Sequence, residues 1–199
     1  MDYPMALSDI IALTVIMLWP VIPLWWIPVH GANSLIRKVG IFIYPMVFVS
    51  WVACAYLIYV NKGFLLDFYI DFSIPIRVVG TLLSVAGIFL QLWTLKELST
   101  RVITGVPELI DGEKVELVVK GPFCRVRHPT YVSHTLLFIG IFLVTGIIAT
   151  GFVALVDFLV VTMIIIPMEE KELLRRFGDK YMTYMVQTPR FFPRIRKNK

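Results

Sequence analysis

The chain has 199 residues, 58% of them hydrophobic and 17% charged, with a mean hydropathy of +0.79. A soluble domain is about 45–50% apolar and about 25% charged, so disorder, a collagen-like repeat and an ordinary water-soluble enzyme are excluded, and the length suits one domain or one and a half. The net charge of +5 does not point to nucleic acid, because the basic residues flank apolar stretches, where lipid headgroups account for them.

Residues 10–29, 39–60 and 78–95 contain no Asp, Glu, Lys or Arg. About 20 apolar residues cross roughly 30 Å of hydrocarbon, so each stretch predicts a transmembrane helix. The N-terminus runs from Met1-Asp2 into Pro and Trp without a basic region or a small-residue cleavage site, so the first span is expected to stay in the mature protein. Pro20, Pro23 and Pro28 predict that this span is kinked or interrupted, with neighbours satisfying the freed carbonyls. Trp19, Trp25 and Trp26 read as interfacial anchors near its end.

Residues 132–168 contain only Asp157 and His134 as potentially charged groups. As one helix this stretch would be about 55 Å long, too long for one crossing. Gly146 and Gly151 bracket four residues, which predicts a hairpin of two short helices over 132–149 and 151–168. The alternative is one tilted helix with an interfacial tail. With five crossings, one side holds Arg37, Lys38, the basic residues of 96–127 and those of the tail, and the other holds only Lys62 and Arg77. That imbalance predicts an N-terminus outside and a C-terminus in the cytosol.

The predicted fold is therefore an all-α integral membrane protein. Five transmembrane helices are joined to a cytosolic connecting segment and a C-terminal amphipathic helix. A three-span region, 1–96, precedes a catalytic region, 97–199. A connection of this length is more often functional than idle. Within it Val115-Glu116-Leu117-Val118-Val119 reads as extended and Lys120-Gly121-Pro122 as a turn. In the tail Glu169, Leu173, Phe177 and Tyr181 recur every four residues, with Gly178 as a weak point and Thr188-Pro189-Arg190 as the stop.

The densest chemical cluster is Arg125-Val126-Arg127-His128-Pro129-Thr130-Tyr131 at the mouth of the fourth span. Pro129 suits the first turn of a helix, whose free N–H groups attract anions. A headgroup anchor is the plainer reading of the same residues. Glu169 and Glu170 end the fifth span, where they face water beside Lys171 or Arg175, or hold a cationic ligand. Asp157 is an intramembrane carboxylate expected to bond Gln91, Ser84 or Thr135. His134 lies one helical turn after Tyr131 and extends that face. Cys124, His128, His134 and Glu169 show no specific metal-ligand spacing, so no metal is expected.

Gly121-Pro122-Phe123, Arg127-His128-Pro129-Thr130-Tyr131, a helical hairpin, then Glu169-Glu170, Leu173, Phe177-Gly178, Tyr181, Tyr184 and Thr188-Pro189-Arg190 together resemble the isoprenylcysteine carboxyl methyltransferase family over about residues 113–193. The resemblance implies a multi-pass membrane methyltransferase that uses S-adenosylmethionine, with a prenylated cysteine or another lipophilic acceptor and no obligate protein partner. It implies the cell membrane for a prokaryotic protein and the endoplasmic reticulum membrane for a eukaryotic one. It maps cofactor contacts onto Val115, Glu116, Leu117 and Val118, onto Phe123, onto His128, Pro129, Thr130 and Tyr131, and onto Glu169 or Glu170. Phe123 stands where the family usually has tyrosine, and Val115 where histidine is common. An arginine expected before the acidic pair is absent from Ile164-Ile165-Ile166-Pro167. Arg127 and Arg190 are then the candidates to bind an acceptor carboxylate. Rival readings are a phospholipid or amine N-methyltransferase, an NADPH-dependent sterol-type reductase and a non-catalytic scaffold.

Overall fold

The computed structural model describes residues 5–31, 33–98, 102 and 116–192, and among them every regular element is helical. The first predicted span is interrupted, as its prolines require. Helix α1, Leu7–Leu18, stops before Pro20, and α2, Val21–Gly31, resumes after it. Trp51 Nε1 donates to the Met17 carbonyl at 2.8 Å, covering a backbone group near the break, as expected of a broken membrane helix. Helix α3, Asn33–Val39, and a 3₁₀ turn lead into α4, Ile43–Val60. A short α5, Lys62–Leu66, precedes α6, Ile74–Glu97, which opens with a proline in its first turn.

Helix α7, Pro129–Thr145, ends at Gly146 with φ of 72°, a left-handed value suited to glycine. A β-carbon at Gly146 would also overlap the Ile70 carbonyl oxygen. Helix α8, Ile148–Val160, begins two residues after that glycine, so the hairpin bends earlier than the bracketing glycines suggest. Ile70 N donates to Gly146 O at 2.8 Å and Ile148 N to Phe68 O at 2.9 Å, which ties the bend to the segment before α6. One π-helical turn, Val161–Ile165, follows α8. Pro167 lies just beyond it. It offers no N–H and crowds the preceding turn, which accounts for the widening. Helix α9, Ile166–Phe177, and α10, Asp179–Gln187, are separated at Gly178, where φ is 53°.

Among the described residues, four helical stretches are long and apolar enough to cross a membrane: Leu7–Gly31, Ile36–Val60, Ile74–Glu97 and Ile148–Phe177. The remaining predicted crossing is α7, an apolar helix of 17 residues that is shorter than the other four. It lies antiparallel along α6. A β-carbon at Gly80 would fall 2.7 Å from Gly140 O, one at Gly87 2.8 Å from Ser133 O, and one at Gly140 2.6 Å from Gly80 O. Small residues replace bulk where two membrane helices approach this closely, because lipid supplies no hydrophobic drive and contact must come from packing.

Two further expectations are corrected. Asp157 takes its hydrogen bond from Trp19 Nε1 at 3.1 Å, whereas Gln91 accepts from Ser133. Trp19 thus joins α8 to the break in the first span, using its one donor on an interior carboxylate instead of a headgroup. Residues 116–119 form no strand, and Val115 lies outside the described residues.

The α6–α7 contact gives a direct test. Gly140→Val overfills the interface and should cost about 1–3 kcal/mol, whereas Gly63→Val, with nothing within 4 Å of its β-carbon, should cost far less. Thermal unfolding in detergent reads the difference; equal losses would remove the close approach as a determinant.

Candidate functional site

Proline at the start of α7 leaves His128 as the cap residue and Arg127 just outside the helix. Backbone hydrogen bonds pin both to the chain end: Arg127 N donates to Pro189 O at 2.8 Å and His128 N to Arg190 O at 3.3 Å. Their side chains meet Glu170 of α9. Arg127 donates through Nη2 at 2.7 Å and Nε at 3.2 Å to Glu170 Oε1, and His128 Nε2 lies 3.1 Å from the same oxygen. Arg190 adds bonds from Nε at 3.1 Å to Oε1 and from Nη2 at 2.5 Å to Oε2. Arg127 Nη1 is spent on the Met185 and Thr188 carbonyls. The anion that the mouth of the fourth span was expected to attract is therefore supplied by the chain itself.

Glu169 has a different environment. Tyr131 donates to its Oε2 at 2.9 Å, and His128 Nδ1 stands 3.6 Å from the same atom. Burial pushes the His128 pKa down, but the carboxylates of Glu169 and then Glu170 outweigh it, so the imidazole titrates above its ordinary 6.5. The two acids thus favour the protonated form of His128.

Two cavities meet at Glu169. The tail-side cavity, about 750 Å³, is bounded by Glu116, Leu117 and Val118 on one side and by α9 and α10 on the other. The span-side cavity, about 920 Å³, is lined by the mouth of α7, by Ile22 of α2 and by Gln91 and Leu95 of α6. Tyr181 is 1% exposed, lines the tail-side cavity, and its hydroxyl has no hydrogen-bond partner among the described residues. Burial holds this phenol well above its ordinary pKa of 10.0, so it remains an O–H donor.

The residues singled out in the sequence separate into groups. Glu116, Leu117, Val118 and Phe123 line the tail-side cavity, and Phe123, His128, Pro129, Thr130, Tyr131 and His134 line the span-side one. Glu169 faces both; Glu170 faces neither and is enclosed by Arg127, His128 and Arg190. Arg127 reaches both walls, and four of its five N–H donors already have acceptors. Arg190, with 47% of its side chain exposed, is bound to Glu170 at one end.

Sequence reasoning missed Trp26, His30 and Glu172. His30 Nδ1 lies 2.6 Å from Glu172 Oε2, and Arg176 Nη2 donates to Glu172 Oε1 at 2.6 Å. Trp26 and His30 are one turn apart on α2, and Glu172 is three residues beyond Glu169. This was the available signal, but no local pattern marks the two segments as neighbours.

A family profile described as phospholipid methyltransferase matches residues 76–180, just over half of the chain. The chain belongs to the phospholipid methyltransferase family. This family of membrane methyltransferases includes the isoprenylcysteine carboxyl methyltransferases, so the resemblance seen in the sequence holds at this level. Comparison with curated proteins gives no match. Within this membrane methyltransferase, the matched segment contains all but the first two residues of α6, then α7, α8, α9 and the acidic pair, and it ends before Tyr181.

Removing Glu170 leaves Arg127 buried without its anion. Glu170→Ala should therefore cost about 3–5 kcal/mol, with Arg127→Ala similar and the pair less than additive in a double-mutant cycle. His128 has a raised folded value. Its stabilising contribution is fully present below 6.5 and is lost as pH rises through the higher folded value. Melting temperature should fall over that window in the wild type more than in His128→Gln; parallel curves would contradict the charged histidine.

Proposed function

We propose that this protein transfers a methyl group from S-adenosylmethionine to a lipid-borne acceptor drawn from the bilayer. The observation that carries the reading is Glu169. One carboxylate oxygen is held by Tyr131, the other accepts no hydrogen bond from a described residue, and the group faces both cavities. A site with an anion, aromatic rings and an unspent phenol donor suits a ligand carrying an ammonium, a sulfonium and polar hydroxyls. When bound, S-adenosylmethionine supplies an electrophilic methyl group. Glu169, Tyr181, Phe123 and residues 116–118 are assigned to the tail-side half that holds this donor, with His128, Pro129, Thr130 and Tyr131 on the span-side wall beside Glu169. Val115 remains an expectation outside the described residues, and Glu170 is assigned to the scaffold.

The span-side cavity is assigned to the acceptor. Displacement at a methyl group asks the chain for alignment and exclusion of water more than for acid–base groups. An amine acceptor must also lose a proton, and His134 Nδ1, buried in the wall of this cavity, has no hydrogen-bond partner among the described residues. This favours an amine-bearing lipid. The second reading is the prenylated cysteine carboxylate, which is ionised at pH 7 and needs a cation. Arg190, half exposed, is the group that supports it, because Arg127 is buried with four of its five donors committed.

The same reading sets α7 as a fifth crossing. At 1.5 Å per residue it is about 26 Å long, a shortfall that local bilayer thinning absorbs. The Lys and Arg imbalance then favours an outside N-terminus and a cytosolic site.

Calorimetry on the full chain in detergent tests the donor. Saturable S-adenosylmethionine binding is expected, weakened about tenfold or more in Glu169→Gln, as for loss of a charge-assisted hydrogen bond. NADPH binding in its place would overturn the reading. Labelled methyl transfer to phosphatidylethanolamine vesicles is expected to exceed transfer to farnesylcysteine; the reverse order would establish the carboxylate.

A further inference from the structure

The two cavities share six lining residues: Trp26, Leu98, Val102, Phe123, Arg127 and Glu169. A methyl group can pass between a donor in one cavity and an acceptor in the other only at that shared boundary. The boundary is also where the donor's positive sulfur must lie. Among the shared residues, Arg127 is a cation already paired with Glu170, Leu98 and Val102 are apolar, and Glu169 is the anion. Trp26 contributes the largest aromatic face.

The position of that indole is fixed by two elements. It packs against the cluster of Tyr131, Val161, Ile165 and Ile166. It also stacks on His30, with ring centroids 5.1 Å apart and planes 5° from parallel. His30 is held in turn by Glu172 of α9, and both side chains are nearly buried. The first span thus enters the site through a stacked pair whose far end is tied to the helix that carries Glu169.

We infer that Trp26 is the sulfonium-recognising wall of the methyl-transfer junction, with His30 and Glu172 as positioning residues. The inference rests on the proposed methyltransferase reading and adds to it a binding residue outside the family match at 76–180. The chemistry is that of a cation over an indole face, the strongest of the aromatic partners, and the attraction grows as water is excluded. It distinguishes charged from neutral ligands of nearly the same shape. S-adenosylmethionine carries the positive sulfur, whereas its demethylated product, S-adenosylhomocysteine, is a neutral thioether. A wall of this type therefore holds the donor and releases the product.

The test is a pair of binding titrations on the full chain in detergent, with S-adenosylmethionine and S-adenosylhomocysteine, for the wild type, Trp26→Phe and Trp26→Leu. Trp26→Leu is expected to weaken S-adenosylmethionine about tenfold and S-adenosylhomocysteine less than about threefold, while Trp26→Phe falls between the wild type and Trp26→Leu. Retained product binding shows that the variant site is folded. Equal weakening of both ligands, or no change in either, would overturn the role of Trp26 while leaving the methyltransferase reading intact. A wild type that binds neither ligand would overturn that reading and this inference with it.

Discussion

One buried carboxylate organises the end of this molecule where α7 begins and α9 runs beyond the apolar stretch. Glu170 receives Arg127 and His128 from the mouth of α7 and Arg190 from the segment after α10. Those groups come from parts of the chain far apart in sequence, and only a folded tail brings them together. Two charges removed from water are seldom net stabilising by themselves, but removing one partner of a buried set leaves the others stranded. The cluster therefore specifies one arrangement of α7, α9 and the chain end. The backbone bonds from Arg127 and His128 to residues 189 and 190 reinforce the same arrangement. Glu169 follows from it: with its neighbour fixed in the scaffold, Glu169 lies on the adjacent side of α9, between the two cavities.

Much of this was legible in the residues. The length and charge-free character of the apolar stretches marked the membrane helices, and Pro20 marked the break in the first. The order of Arg127-His128-Pro129 and Glu169-Glu170 around a hairpin marked both the family and the residues that meet. Local pattern could not separate the two glutamates. Adjacent positions on a helix differ by about 100°, so one is enclosed and the other faces the cavities, and only the packing decides which. The partner of Asp157 was illegible for a similar reason. Several polar residues on neighbouring spans were available, and the break at Trp19-Pro20 places an indole N–H nearer than any of them. Trp26 and His30 had only their one-turn spacing as a signal, and an aromatic residue near the end of a span usually indicates an interface.

The close approach of α6 and α7 and the two cavities are connected. The glycines at 80, 87 and 140 let the helices touch along the spans, where α6 has Gly80 opposite Gly140. Towards its C-terminus α6 presents Gln91, Leu95 and Leu98 to the span-side cavity instead. The membrane region of the pair is thus sealed by backbone contact, and space opens at the level of the charged cluster. Ser133 keeps the seam polar at this end by donating to Gln91.

The π turn at Val161–Ile165 lies between the part of the long helix that meets lipid and the part that carries the acids. A wide turn accommodates one residue more than a regular turn of the same rise. It offsets the angular phase of α9 from that of α8 by about 100°. Closing it to a regular turn while keeping every residue would swing Glu170 by that angle, out of its nest of cations, and leave the membrane half untouched. The turn acts as a phase adjuster: the hydrophobic sequence of α8 is free to drift under selection for lipid contact, while the carboxylates beyond it keep their bearing.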